Sequence, residues 1–419
     1  MNQMLKCINC GKTYSTDSVL YRCEDCDDLL DVIYDYGDLD PGSIKKEWKN
    51  EPIRVWKYRR LLPLQPSNPV TLGEGGTPLH ECRRLGEAMG LEAFYSKNEG
   101  VNPTGSFKDR GMTVGINKAL QLGMKVTACA STGNTSASLS AYSSKAGLKC
   151  LVLIPSGKIA SGKLAQAIAY GAQVMSVKGN FDDALRAVQK LCDKYPLYLL
   201  NSVNPFRLEG QKTLAYEVFE QLGERVPDNV FVPVGNAGNI SAIWKGFCEL
   251  EILGFMDKLP RMIGVQASGA SPIAAMIEKG LEDIMPFTQP ETLATAIRIG
   301  SPVNWKRAKR AVKESHGTVT VVSDDEIIEA QKQLARFEGL FVEPASASSL
   351  AGLKKLISNG EVASSELTVC VLTGHGLKDP NVVSKYYKKP IEVENTMEDI
   401  EATASDVLSD RVEVVVVHG

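Results

Sequence analysis

The sequence is poor in histidine. Its 419 residues include four, His80, His316, His375 and His418, and His375 stands between two glycines, where a turn role is the plainer reading. A Ser-His-Asp hydrolase or a histidine-ligated zinc enzyme therefore has little to draw on. Long apolar runs are also missing: nothing approaches the roughly 20 residues that span a bilayer, and the opening MNQMLKCINC has no apolar signal region. Charge of one sign is not in excess, with a net charge of −3. That balance argues against nucleic acid or an anionic membrane as the main partner. These absences lead us to expect a cytoplasmic protein with a small-molecule partner, no nucleic acid and no membrane. No internal repeat or low-complexity segment is evident. With 43% hydrophobic residues, the chain is long enough for two or three domains with their own cores.

Ten cysteines are present. Cys82, Cys129, Cys150, Cys192, Cys248 and Cys370 lie scattered in apolar or small-residue surroundings, and in a reducing compartment such residues are mostly buried small hydrophobes. The other four form Cys7-x-x-Cys10 and Cys23-x-x-Cys26, separated by twelve residues. Two such knuckles can bring four thiolates tetrahedrally onto Zn2+, and Gly11 suits the tight turn after the first. With every position filled by protein, that metal would hold a small ribbon together. A redox pair is the weaker alternative, because no strand-to-helix thioredoxin context surrounds it.

The stretch DYGDLDPGSIKKEWKNEPIRVWKYRRLLPLQPSNP reads as a connecting segment, polar with interspersed prolines. Beyond it, short apolar runs alternate with amphipathic helices. VTACAS (126–131), CLVLIP (150–155), AQVMSVKG (172–179) and NVFVPV (229–234) each precede a helical pattern, and RMIGVQA and TVCVLTG are further apolar runs. Buried strands alternating with helices predict an α/β protein with mainly parallel sheets covered on both faces. The C-terminal MEDIEATASDVLSDRVEVVVVHG reads as acidic and helical, then strand-like.

In parallel sheets, ligands bind in the loops beyond the carboxyl ends of strands. PVGNAGNI (233–240) leaves a strand and opens a helix, so Gly235 and Gly238 allow close approach of an anion to free amides. It lacks the Walker A lysine and the G-x-G-x-x-G spacing, which fits a phosphate monoester better than a nucleotide. ASTGNTSAS (130–138) offers Ser131, Thr132, Asn134 and Thr135 as uncharged donors at a helix start, which suits a carboxylate or phenolic oxygen or plain capping. LTGHGLKDP (372–380) adds Thr373 as a neutral donor and acceptor. The turn-rich NPTGSFKDRGM (102–112) sets Lys108 beside Phe107 just before a helix, a setting a surface lysine does not need. A lysine of depressed pKa, an anion cradle and neutral polar loops together point to pyridoxal 5'-phosphate, which carries an aldehyde, a phosphate and a pyridine ring.

Over roughly residues 53–385 the chain resembles the threonine synthase family, of the tryptophan-synthase-β-like, fold type II class of pyridoxal-phosphate enzymes. The resemblance rests on GEGGTPL, NPTGSFKDRGM, ASTGNTSAS, NSVNPFRLEGQKT, PVGNAGNI, ETLATAIRIGSPVNW, EPASASSLAGL and LTGHGLKDP, in that order. Beside the zinc-ribbon-like segment (1–40) read from the cysteines, it implies a large cofactor-binding domain (41–112 and 201–388) and a small mobile domain (113–200) carrying the Asn134 loop, and it leaves a tail (389–419) outside the match. It implies Lys108 as Schiff-base lysine and acid-base group, and Asn134 on the cofactor's phenolic oxygen. Gly235, Asn236, Ala237, Gly238 and Asn239 would wrap the cofactor phosphate, with Thr373 on the ring nitrogen. The implied substrate is O-phospho-L-homoserine, its carboxylate on Ser131, Thr132 and Asn134 and its phosphate on Thr135, Asn201, Ser202, Arg207 and Asn236. A homodimer is implied as well. Threonine dehydratase and cysteate synthase share the lysine and glycine loop, and a catalytically inactive interaction protein is the alternative from another class. The cysteine ribbon is absent from many relatives, so the resemblance assigns it no role.

Overall fold

The computed structural model describes residues 2–37, 39–156, 161–179, 181–387 and 390–408. Three sheets organise them. A small antiparallel sheet holds β1 (Gln3–Cys7), β2 (Thr13–Tyr14) and β3 (Leu30–Tyr34) in the order β2-β1-β3. A six-stranded sheet combines β4 (Leu79–Glu81) and β5 (Phe94–Asn98) with four strands from later in the chain. These are β10 (Asn229–Pro233), β11 (Arg261–Ala267), β12 (Thr318–Val322) and β13 (Thr368–Leu372), and the order is β12-β11-β10-β13-β5-β4. Between them in sequence, β6 (Val126–Ala130), β7 (Lys149–Pro155), β8 (Gln173–Val177) and β9 (Leu197–Leu199) form a four-stranded sheet ordered β8-β7-β6-β9.

Every pairing in the four-stranded sheet is parallel, and in the six-stranded sheet only edge strand β4 is antiparallel. The expected α/β class with mainly parallel sheets is what forms. The physical reason is visible in β10, where all five residues of NVFVP are buried: a strand covered on both faces has no solvent side on which to alternate. Helices begin where the sequence offers caps. Ser323 accepts from the Glu326 amide while Glu326 accepts from the Ser323 amide, and Gly339 ends that helix at φ +68°.

One expectation is corrected. Residues 35–69 are not a mere connector: a helix at Pro41–Lys49 and a 3-10 turn at Val55–Leu61 pack Ile44, Trp48, Tyr58 and Leu61 into the largest core cluster, against Val230, Val232, Val369 and Val371. Trp48 stacks on Phe255 with ring centroids 5.1 Å apart. The charges between these residues hid a continuous buried face.

The implied boundary between 112 and 113 falls inside the helix Lys108–Gln121. Of the tail, Met397–Leu408 is helical as read, and its strand-like end (409–419) lies outside the described residues. Among the described residues, no helix is long and apolar enough to cross a membrane.

Candidate active site

Lys108 is the first residue of its helix, and the turn before it is fixed by main chain. Gly105, at φ +84°, donates its amide to the Asn102 carbonyl at 2.7 Å. Phe107 N donates to the Thr373 carbonyl and His375 N to the Gly105 carbonyl, both at 3.0 Å, so Ser106 and Gly374 form an antiparallel bridge. On the other side of the same loop, Val342 bridges His375. The exits of β13 and β5 are thereby joined to the start of the helix Pro344–Ser358. His375 is a capping residue here: its Nδ1 accepts from the Leu377 amide.

The two residues after Lys108 anchor it further. Asp109, fully buried, accepts from Thr104 N and Oγ1 at 2.7 and 2.6 Å and from Ser138 Oγ at 2.5 Å. Ser138 lies on the helix Asn134–Lys145, so one carboxylate ties the lysine loop to the helix that follows β6. Arg110, also fully buried, donates to Glu99 at 2.5 and 2.7 Å and to Glu217 at 2.7 and 2.8 Å, and Lys97 adds a 2.8 Å bond to Glu217. Glu217, though desolvated, is held well below the usual carboxylate range by these two cations.

The Lys108 amine lies 3.8 Å from the Phe107 ring centroid. Burial pushes its pKa down to about 7, the Arg207 guanidinium pushes the same way, and the Glu343 carboxylate opposes both. An amine in that range is partly neutral at pH 7, as a nucleophile or proton carrier requires.

Arg207 stands on the helix Pro205–Gln211, and the reason it can approach Lys108 is glycine. A Cβ on Gly210 would lie 1.8 Å from the Arg110 carbonyl oxygen, and one on Gly111 would lie 2.5 Å from that of Arg207. The two helices therefore cross backbone on backbone. Arg207 is 1% exposed, its Nε has no partner, and burial lowers it to about 10. A buried guanidinium with an orphaned donor, set near a second cation, is a place made for an anion.

The exit of β10 lies beside that of β13 because the two strands pair in parallel. There Ala237 adopts φ +63° before the helix Gly238–Ile252, the Asn239 amide has both polar atoms buried without partners, and a Cβ on Gly235 would crowd Ile297 Cα at 3.0 Å. Such a loop presents main-chain amides at a 15-residue helix N-terminus. Asn134, at the exit of β6, is 8% exposed and has Oδ1 without a partner, while its Nδ2 donates to both Glu343 oxygens at 3.1 Å. Thr373 Oγ1 is 3.0 Å from Ser346 Oγ and 3.5 Å from Glu343 Oε1. A depressed amine, a glycine-rich cradle and these orphaned polar atoms fit pyridoxal phosphate.

Glu343 had no place in the sequence reading, although EPASASSLAGL was noted. It is 2% exposed and precedes a helix whose first residue is Pro344, an acid before proline at a helix start being the available signal. Of the other expected contacts, Ser131, Thr132 and Thr135 line the loop with partial exposure, and Ser131 Oγ caps Gly133 N at 3.1 Å. Asn201 is different: its side chain already bonds Ala130 N and O, each at 2.9 Å. It braces the end of β6, and what it has left to offer a ligand is main chain. Ser202 joins the constellation through its carbonyl, which accepts from Asn304 Nδ2 at 3.2 Å. Asn304 N in turn donates to the Asn236 carbonyl at 3.1 Å.

Away from this cleft, the Cys7, Cys10, Cys23 and Cys26 sulfurs lie within 4.8 Å of one another, a set that can hold a metal ion. Asn9 N points at Cys7 Sγ at 3.4 Å, and the Tyr14 hydroxyl at 3.1 Å together with nearby amides lowers the Cys23 thiol to about 6. The second effect favours the thiolate of Cys23.

A family model for pyridoxal-phosphate dependent enzymes matches residues 70–374. A threonine synthase of Methanocaldococcus jannaschii is 56% identical over 393 residues, covering 94% of this chain and 97% of that one. The chain belongs to the threonine synthase family. A second member, from Methanosarcina acetivorans, is 55% identical over 399 residues, with 94% and 97% covered. The crystal structure of the threonine synthase from Escherichia coli superposes with a TM-score of 0.72 at 18% identity, covering 95% of this chain and 94% of that one, so the fold is shared across the family at low identity.

Proposed function

We propose that this protein converts O-phospho-L-homoserine and water to L-threonine and phosphate. The observation that carries the reading is Arg207, a buried guanidinium with an unpartnered Nε beside the depressed amine of Lys108. An enzyme acting on a substrate without phosphate, such as a dehydratase, has no use for a second buried cation there.

Gly235, Asn236, Ala237, Gly238 and Asn239 would hold the cofactor phosphate, Asn134 the phenolic oxygen and Thr373 the ring nitrogen. Pyridoxal phosphate, once bound, supplies an electron-accepting ring that stabilises charge on the carbons next to the substrate amine. Ser131, Thr132 and Asn134 orient the substrate carboxylate. Arg207, with Thr135, Ser202, Asn236 and the main chain at Asn201, holds its phosphate, and the planar guanidinium fork suits that group. Lys108 carries the protons: its amine takes one from the α-carbon and then one from the β-carbon. The γ-carbon to oxygen bond breaks, phosphate leaves toward Arg207, and the γ-carbon gains a proton that Lys108 had taken up. Water adds its oxygen at the β-carbon and Lys108 returns a proton to the α-carbon, so one water is consumed for each phosphate released. Thr373, being neutral, leaves the ring nitrogen less protonated than an aspartate would, which favours this route over transamination.

The cysteine cluster takes Zn2+ in a structural role. The small domain (113–200) closes on the large one (41–112 and 201–388) when substrate binds. The protein works in the cytoplasm as a homodimer.

The test is incubation of the cofactor-loaded enzyme with O-phospho-L-homoserine, scoring threonine and phosphate together, with Lys108→Ala as control. We expect equal amounts of both products from the native enzyme and neither from the variant. Phosphate without threonine, or no phosphate, overturns the assignment.

A further inference from the structure

The cysteine ribbon is joined to the phosphate pocket by a short path of hydrogen bonds. Its near end is fixed by the knuckles: Cys23 N donates to the Asp28 carbonyl at 2.8 Å, and Ile8 N, between the first two cysteines, donates to the Leu29 carbonyl at 3.0 Å. Leu30 follows directly. Its carbonyl accepts from Arg307 Nη2 at 2.5 Å, and the other arm of the same guanidinium, Nη1, donates to Asn304 Oδ1 at 2.6 Å.

Asn304 is fully buried and touches two loops at once. Its Nδ2 holds the Ser202 carbonyl and its main-chain N holds the Asn236 carbonyl. A Cβ on Gly238 would sit 3.4 Å from that Nδ2. Arg307 is thus the one link in this path that faces the ribbon with one nitrogen and the pocket with the other. Its remaining donor, Nε, is buried without a partner. Neighbouring contacts make the same seam firm: Lys245 donates to the Val32 carbonyl at 2.5 Å, and Lys306 pairs with Asp28.

We propose that Arg307 is a positioning residue through which the four-cysteine ribbon sets the grip of the 202 and 236 loops on a phosphate monoester. Metal in the ribbon holds the segment Asp28–Leu30, that segment aims Arg307, and Arg307 fixes Asn304. The ribbon's function is then to preorganise a pocket it never touches. This rests on the phosphate-binding reading of those loops, and the probe is chosen to separate the two.

The probe is inorganic phosphate, titrated by calorimetry into the cofactor-loaded full-length protein, so that it reads the pocket whatever the substrate is. Four samples are compared: native protein and Arg307→Ala, each as purified and after removal of metal by a chelator. Misaligning a preorganised contact costs on the order of tenfold or more. We expect the variant and the stripped native protein each to bind phosphate about tenfold more weakly. The stripped variant should be no weaker than either, because the two changes break one path. Turnover should show a raised KM with kcat nearly kept, and apoprotein titrated with pyridoxal phosphate separates an effect on the cofactor's phosphate from one on the substrate's.

If Arg307→Ala does not fold, Arg307→Lys keeps the stem and one donor but cannot bridge both acceptors, and the same split in KM is expected from it. Unchanged phosphate binding in the folded variant, or losses that multiply in the stripped variant, overturn the proposal. Failure of the native protein to bind phosphate at all overturns it too. Phosphate binding without turnover of O-phospho-L-homoserine would leave it standing and remove the substrate assignment alone.

Discussion

Arg110 and Arg207 are both buried arginines on helices that cross at Gly111 and Gly210, yet their surroundings are opposite. Arg110 is saturated by Glu99, Glu217 and two threonine hydroxyls, and its pKa is raised well above the ordinary guanidinium range, since those carboxylates outweigh its burial. Arg207 has an orphaned Nε, and burial lowers it to about 10. The protein thus knows how to neutralise a buried arginine and, a few ångströms away, does not. The first is a structural rivet for the lysine loop. On the function proposed above, the charge of the second is left for the substrate phosphate.

That contrast can be broken experimentally. The largest effect expected is from Lys108→Ala, which should lower turnover by at least about 10³-fold, since acid-base and covalent roles are lost together; thermal unfolding should show the fold intact. Arg110→Met should leave Glu99 buried without its cation and Glu217 with Lys97 alone, and cost about 3–5 kcal/mol of stability, read from urea denaturation. Arg207→Met reverses the pattern: kcat/KM for the phosphate ester should fall about 100-fold, roughly 2.7 kcal/mol, with unfolding unchanged or improved. Should both arginine variants affect stability alone, the distinction drawn between them is wrong.

The smallest effect sharpens the comparison through pH. Lys108 is lowered from 10.5 to about 7, with Arg207 as a cause after burial. Its folded pKa is below its unfolded one, so between about pH 7 and 10.5 the folded state binds fewer protons and stability rises with pH. Below that window both states are protonated and the penalty is fully present. In Arg207→Met the Lys108 pKa should move up and the window should narrow. Titrating the rate of imine formation in the cofactor-free protein against pH measures this, and an unmoved midpoint would show the two cations to be uncoupled.

Much of the fold was legible in the sequence for a physical reason. Parallel strands buried on both faces read as unbroken apolar runs, so Val126–Ala130, Lys149–Pro155, Asn229–Pro233 and Thr368–Leu372 lie where the runs predict. The loops after them were legible because glycine and neutral donors at strand exits are few. Residues 35–69 misled because Ile44, Trp48, Tyr58 and Leu61 are spread among lysines and arginines that mask their common face. Glu343, Asn304 and Arg307 were out of reach for another reason. Each is an ordinary polar residue whose meaning comes mainly from partners far off in the chain, as when Glu343 meets Asn134 or Arg307 meets Leu30.

The bridge between Ser106 and Gly374 is made wholly of main chain. Apart from Gly105, at φ +84°, and Gly374, where a Cβ would lie 2.5 Å from Glu343 Oε1, side-chain identity has little say in such a bond, so the turn before the reactive amine tolerates drift at its other positions. A protein engineer could therefore rewrite Ser131 and Thr132 to admit a different carboxylic acid while the lysine stays where it is.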